Sequence, residues 1–431
     1  MIITRRSFVK NCSVVAAALS FPGVASFVGA APKQLSASDE IRLGMVLSST
    51  GFMSIVEPYQ IAVLLMGIEE VNSRGGINGA KLVPEIRDPG SDWGQYAKHA
   101  KELVDSGVSI FHSCYTSASR ESLLPVIQKA NGLLFYPTYY EGRECTDNMI
   151  MTGSCPNQQV GNSIPWMINK SGKSIYLIGS NYIYPRTMNK AAKQAISIHG
   201  GKVLGEKYVD LGVTTTSGYK SIVADIKAKK PDWVLSNVVG ASGDAFMQEY
   251  TNQGLNSGNM PILSYPMTEP EVLSAGIKNC VGHYTSFTYF QTLDTPENKA
   301  FVSRFNDFLA ANKKQFSLPP VTSGVMQAAY SGFLAFVKAA EATNSIDPVA
   351  LVGACKGLEI DAPEGKVRIN SDNLHTALRP RIGQVNDAGL FDILDESPEL
   401  VEPVVFNPGI DPGKTCENGG EFYIKGKRVP T

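Results

Sequence analysis

Residues 108–142 read VSIFHSCYTSASRESLLPVIQKANGLLFYPTYYEG. VSIFHS and LLFYP are short apolar runs with the look of buried strands, and ESLLPVIQKAN between them carries its apolar residues at helical spacing. A strand, a loop, a helix and a second strand make the unit from which parallel, doubly wound sheets are built. In an open sheet of this kind ligands lie in the crevice outside the carboxyl ends of the strands. The loops that begin there are CYTSASR (114–120) and FYPTYYEG (135–142), and a third of the same character, GSNYIYPR, occupies 179–186. All three are rich in phenols and small hydroxyls and almost free of charge. Such a lining suits a small neutral polar ligand, since each hydroxyl both donates and accepts while no unpaired ion is buried.

Outward from this stretch the pattern repeats. IRLGMVLS and KLVPEIRD read as strands, and IAVLLMGIEEVNSRGG and WGQYAKHAKELVDSG as helices. A second α/β series starts near residue 157, with strands SIYLIGS, KVLGEKYVD, DWVLSNVV and PILSY separated by helical segments. Two such series predict two lobes. The amphipathic stretch VTSGVMQAAYSGFLAFVKAAEAT (321–343) is expected to return to the first lobe, and DAPEGKVRI (361–369) to form a strand pair in the second. Beyond about residue 400 Pro, Gly and Asn dominate, which predicts irregular packing over the second lobe.

The chain has 431 residues, 39 basic and 40 acidic. That balance gives no support to nucleic-acid binding. At the N-terminus TRRSFVK (4–10) is a twin-arginine pattern ahead of an uncharged apolar run over 14–31, so residues 1–30 read as an export signal cleaved after Ala30. Its removal takes Arg5, Arg6 and Lys10 and no acid, leaving a net charge of −4. No later apolar stretch is long enough for a membrane helix. The seven cysteines match no zinc spacing. Cys145 and Cys155 flank a short predicted strand; they either pair in an oxidising compartment or stay as buried thiols.

The strings CYTSASR, NGLLFYPTYYEG, TGSCPNQQ (152–159), GSNYIYPR, TYFQTLDTPENKAF (288–301) and DAPEGKVRI, with EEVNSRGGINGAKLVPEIRDPGSD (69–92) upstream, carry a family resemblance. Over residues 40 to 395 the chain resembles the amide- and urea-binding members of the type I periplasmic binding proteins. The resemblance implies an α/β fold of two doubly wound parallel-sheet lobes joined by a three-stranded hinge, with crossings near 156, 286 and 361. Lobe 1 is then 40–156 with 286–361, and lobe 2 is 157–285 with 362–400, followed by the tail 401–431. It also implies a periplasmic receptor, without cofactor or metal, that closes on urea or a short aliphatic amide and delivers it to the permease subunits of an ABC transporter.

On both grounds the candidate ligand residues are Tyr115, Thr116, Ser117, Tyr136, Thr138, Tyr182, Tyr184 and Met267. Ser117 and Ser119 have an alternative use as helix caps, and Tyr136 as a packed strand-end ring. Tyr182 and Tyr184, two apart in an extended segment, would point the same way and close over the ligand. Pro266-Met267 stands where the family tends to carry small polar residues, which favours a larger or less polar amide or else reflects drift at the rim. Glu269 either meets a ligand ammonium or begins a helix. Such a pocket contains nothing that titrates between about pH 6 and 8. Rival readings are a branched-chain amino acid receptor of the same fold, with Glu269 as its acid; an amide sensor in gene regulation; and an enzyme such as an amidase, for which His112 and Cys114 form the one conceivable dyad.

Overall fold

Alternation along the strands decides where the first core sits. In the computed structural model, which describes residues 34–416 and the backbone of two short strands beyond them, Leu133 and Phe135 pack on one face of a sheet and Leu134 and Tyr136 on the other. Both faces are buried, as a parallel sheet flanked by helices requires. The first lobe runs β1 (Glu40–Val46), α1 (Glu57–Ser73), β2 (Lys81–Arg87), α2 (Trp93–Asp105), β3 (Ile110–His112), α3 (Ser117–Lys129), β4 (Leu133–Tyr136) and β5 (Met149–Met151). Its five strands are parallel, in the order β2-β1-β3-β4-β5.

The chain then enters the second lobe through α4 (Pro156–Ser171), β6 (Ser174–Ser180), α5 (Ile183–Ile198), β7 (Lys202–Val209), α6 (Lys220–Lys229), β8 (Trp233–Asn237) and α7 (Ala241–Asn252). It continues with β9 (Ile262–Ser264), α8 (Glu269–Ala275), α9 (Ile277–Cys280) and β10 (Tyr284–Phe287). After β10 it returns: α10 (Pro296–Ala311), α11 (Gly324–Thr343) and α12 (Pro348–Cys355) lead to β11 (Glu359–Ala362), β12 (Gly365–Ile369) and β13 (Thr376–Ala377). Met326, Phe333 and Phe336 of α11 complete the first lobe's core against α1. Finally β14 (Arg381–Val385) and β15 (Phe391–Glu396) add antiparallel edge strands, giving the seven-stranded order β15-β14-β10-β9-β8-β6-β7.

Three expectations need correction. DAPEGKVRI does form a strand pair, β11–β12, but Ile360, Ala362, Val367 and Ile369 pack into the first lobe's core and Thr376 bonds the carbonyl of Met151 at 2.7 Å. The third crossing therefore lies at 378–380 rather than near 361, because these small strands bury their apolar face only against the first lobe. The tail does not simply overlie the second lobe. Val405 and Phe406 pack beside Cys145, the N–H of Arg143 donates to the carbonyl of Val405 at 2.8 Å, and the Arg143 guanidinium pairs with Asp411 at 2.8 Å. It also ends in a hairpin, β16 (Phe422–Ile424) with β17 (Lys427–Val429), rather than in wholly irregular chain. Cys145 pairs with Cys416, 271 residues away, and Cys155 is a buried free thiol. The export-signal reading falls on residues outside those described. Among the described residues no helix is long and apolar enough to cross a membrane.

Candidate functional site

Where β3 ends, Cys114 adopts a left-handed backbone (φ 72°) and turns the chain into α3. Thr116 is the N-cap, its hydroxyl accepting from the N–H of Ser119 at 3.0 Å. Ser117 opens the helix and donates to Glu141 at 2.5 Å. One turn on, Arg120 reaches the same carboxylate at 2.7 Å, and its guanidinium lies over the rings of Tyr136 and Tyr140, 5.4 and 4.8 Å from their centroids. Tyr136 donates to the carbonyl of Tyr115 at 2.9 Å. Thr116, Ser117 and Tyr136 thus have their hydroxyls engaged by the protein itself, where they fix the α3 start and the loop after β4. Thr138 is buried, and its hydroxyl has no partner among the described residues.

Tyr115 faces the other lobe. Its hydroxyl lies 3.2 Å from that of Tyr139 and 3.2 Å from a Glu271 carboxylate oxygen. The ring of Tyr139 lies tilted against that of Tyr184, centroids 5.2 Å apart, and edge-to-face with that of Phe287, 5.3 Å apart. Elsewhere along the cleft the N–H of Ala241, first residue of α7, donates to the carbonyl of Phe52 at 3.2 Å. The two lobes are therefore in direct contact, and Met53, Tyr115 and Tyr139 are part of the second lobe's apolar cluster.

GSNYIYPR departs from the extended segment expected of it. Tyr182 is the N-cap of α5 and Tyr184 lies in that helix's first turn. Tyr182 stays partly exposed, whereas Tyr184 is buried and donates to Asn237 at 3.2 Å. The cause is local: Pro185 fits the first turn of a helix, where its missing N–H is no loss.

Glu269 begins α8, and its carboxylate accepts from the N–H of Gln291 at 3.0 Å. Burial pushes its carboxyl up to about 8. The acid that reaches the cleft is instead Glu271, two residues on. It closes a capping box with Thr268 and is pushed up to about 7, chiefly by burial, against the lowering effect of the Thr268 bond. The T-x-x-E spacing was a readable capping signal, but nothing in it says which way the second oxygen points. Tyr139 and Glu141 were likewise missed. They follow Tyr136 and Thr138 directly in an irregular loop, where strand periodicity no longer assigns faces. Glu271 and Met267 line a small cavity of about 20 Å³ in the second lobe, together with Ser236, Val238, Gly240 and Asp244. No Lys, Arg or His is among the residues lining it.

The His112–Cys114 pair does not form. His112 stacks on Phe135 at 4.8 Å beside Phe333 and Phe336, its ring pushed down to about 3 by burial, while Cys114 belongs to the cluster on the opposite face of the sheet. The left-handed turn at Cys114 breaks the strand alternation that would have put both on one side.

A family model described as a periplasmic binding protein domain matches residues 41–411. The chain is 26% identical over 293 residues to a Leu/Ile/Val-binding protein homolog of Brucella abortus, covering 67% of this chain and 73% of that one. A 35% identical stretch of 138 residues is shared with a limonene hydroxylase of Geobacillus stearothermophilus, of whose length the match spans only 24%. Among solved structures, a solute-binding protein of an ABC transporter from R. palustris in complex with 4-hydroxybenzoate superposes with a TM-score of 0.74 at 20% identity, covering 84% of this chain and 98% of that one. The closed Leu-, Ile-, Val-, Thr- and Ala-binding protein of Brucella ovis gives 0.73 at 17% identity, with 85% and 98% covered. With two α/β lobes meeting at a polar cleft and a family match over most of its length, the chain belongs to the periplasmic binding protein family.

Proposed function

We propose that this protein is the periplasmic receptor of an ABC importer and that its ligand is urea or a short aliphatic amide, held between Tyr115, Tyr139, Tyr182, Tyr184, Met267 and Glu271. The observation that carries this reading is the cluster of Tyr115, Tyr139 and Glu271, in which two phenols of one lobe meet a carboxyl of the other. Phenols supply donors for an amide carbonyl, and the carboxyl oxygen accepts from an amide N–H. The neighbouring cavity has two acids and no base in its lining, which supports a neutral ligand rich in N–H over a carboxylate. Thr116, Ser117 and Tyr136 then act at one remove, by holding the loops that carry Tyr115 and Tyr139, whereas the unpartnered hydroxyl of Thr138 stays a candidate ligand contact.

A second reading, a branched-chain amino acid receptor, is supported by two observations: Glu271 lines the cavity with a carboxyl that a ligand ammonium would suit, and relatives are named for leucine, isoleucine and valine. Calorimetry of the protein without residues 1–30 against urea, formamide, acetamide, propionamide, acetate and leucine separates the two. Binding of an amide with no detectable acetate binding is the expected result; tighter binding of leucine than of every amide overturns it. Export by the twin-arginine route belongs to the same proposal. Arg5→Lys with Arg6→Lys should abolish periplasmic accumulation, and unchanged yield of that variant would remove the claim.

A further inference from the structure

Glu271 is in an unusual position for a carboxyl group. It sits on the second lobe, yet one of its oxygens receives the Tyr115 hydroxyl of the first, and the other is held by Thr268 at the start of its own helix. Contact with Tyr115 exists only while the lobes are together, whereas Thr268 stays with it in any arrangement of the lobes. The groups that face Glu271 are Tyr115, Tyr139 and Tyr59 from the first lobe, Asp244 from α7, Cys280 from α9 and Glu269 on its own helix. Not one of these is a cation. Nothing among them compensates an ionised carboxylate once water is excluded, and the neighbouring Asp244 opposes its ionisation.

We propose that Glu271 couples ligand capture to protonation: as the lobes close, its carboxylate leaves water, takes a proton from solvent, and so makes the receptor hold its ligand more tightly in acidic than in alkaline medium. The coupling rests on the reading above that the two lobes close on a solute without a cationic group; an ammonium on the ligand would pair with the carboxylate and cancel the proton uptake. Protonated, the carboxyl still accepts from Tyr115 and can donate to the Thr268 hydroxyl, so no hydrogen bond of the closed form is lost. It also presents a neutral face to the ligand, which disfavours an ammonium group.

The sign follows from linkage. In the open form the carboxyl is expected near its ordinary value of about 4.3, and in the closed form burial raises it to about 7. Closure is then fully assisted below the open-form value, and that assistance is lost as pH rises through the closed-form value. Between pH 8 and pH 6 the ligand affinity should rise about tenfold.

Calorimetry at both pH values, in pairs of buffers with different ionisation enthalpies, reads the affinity and the proton together. Wild-type protein should bind about tenfold more tightly at pH 6 and take up close to one proton there. Glu271→Gln should give a flat profile with no uptake. Glu57→Gln should keep the slope, because Glu57, although pushed up to about 7 as well, is bonded to Ser48 and Tyr96 inside the first lobe. A flat wild-type profile, or a slope that persists in Glu271→Gln and so belongs to Asp244 or Glu269, overturns the proposal. Should no solute of the panel bind, the amide reading falls, and small-angle scattering of the ligand-free protein still decides the coupling. The radius of gyration should shrink from pH 8 to pH 5 in wild type and not in Glu271→Gln; no change in wild type overturns it.

Discussion

Arg120 and Glu141 form an ion pair 2.7 Å long in which neither side chain is more than 2% exposed. The pair ties the first turn of α3 to the loop that presents Tyr139, and Ser117 shares the same carboxylate. Removing Glu141 leaves the buried Arg120 guanidinium with only the more distant Glu144 carboxylate, 4.0 Å away, so Glu141→Ala should lose about 3 kcal/mol of stability. Guanidinium chloride unfolding measures this without adding a candidate ligand, as urea would. Arg120→Met combined with Glu141→Leu should recover most of the loss while leaving ligand affinity impaired, since the two loops are no longer in register. Full affinity in that double variant would show that the pair has no part in shaping the cleft.

The two tyrosines of GSNYIYPR should behave differently. Tyr184 is 1% exposed and packs within the second lobe's core, so Tyr184→Ala should cost about 3–5 kcal/mol and lower the melting temperature. Tyr184→Phe, which gives up only the bond to Asn237, should cost about 1 kcal/mol. Tyr182→Ala removes a partly exposed ring and should weaken ligand binding with little change in melting. Equal melting losses for Tyr182→Ala and Tyr184→Ala would contradict this division.

Peptide mapping of the oxidised protein should recover Cys145 linked to Cys416, and a Cys145–Cys155 peptide would refute the tail's placement. Replacing both Cys145 and Cys416 by Ser should lower stability by about 2–5 kcal/mol. In the native oxidised protein Cys114, Cys155, Cys280 and Cys355 should resist a maleimide, because each is buried and burial holds its thiol protonated.

At Gly240 the second lobe meets the first. Its φ is +63°, and an added Cβ would lie 2.9 Å from the sulfur of Met53 and 3.0 Å from the carbonyl of Phe52. Gly240→Ala should therefore hinder closure as well as strain its own turn, lowering ligand affinity at least several-fold. Scattering should show a larger radius in the presence of ligand than wild type has. Unaltered affinity would mean that closure does not bring these loops together.

The alternation of strands and helices, the long helix returning at 324–343 and the loops at the strand ends were all legible in the chain, because burial on two faces imposes continuous apolar strands and a helical crossover imposes its own period. What the sequence left open depended on partners distant along it. Cys145 found Cys416 rather than Cys155, and β11–β12 stayed with the first lobe, because each follows the apolar surface available to it, which no local pattern records. Thr116, Ser117 and Tyr136 were readable as hydroxyls at a cleft, but only packing directed their hydrogen bonds inward and left Tyr115 facing the other lobe. Glu271 is the plainest case. Its chain neighbours fix it as a capping residue, while its burial and its Tyr115 contact, 156 residues away in sequence, come from the meeting of two lobes, where desolvation sets its protonation.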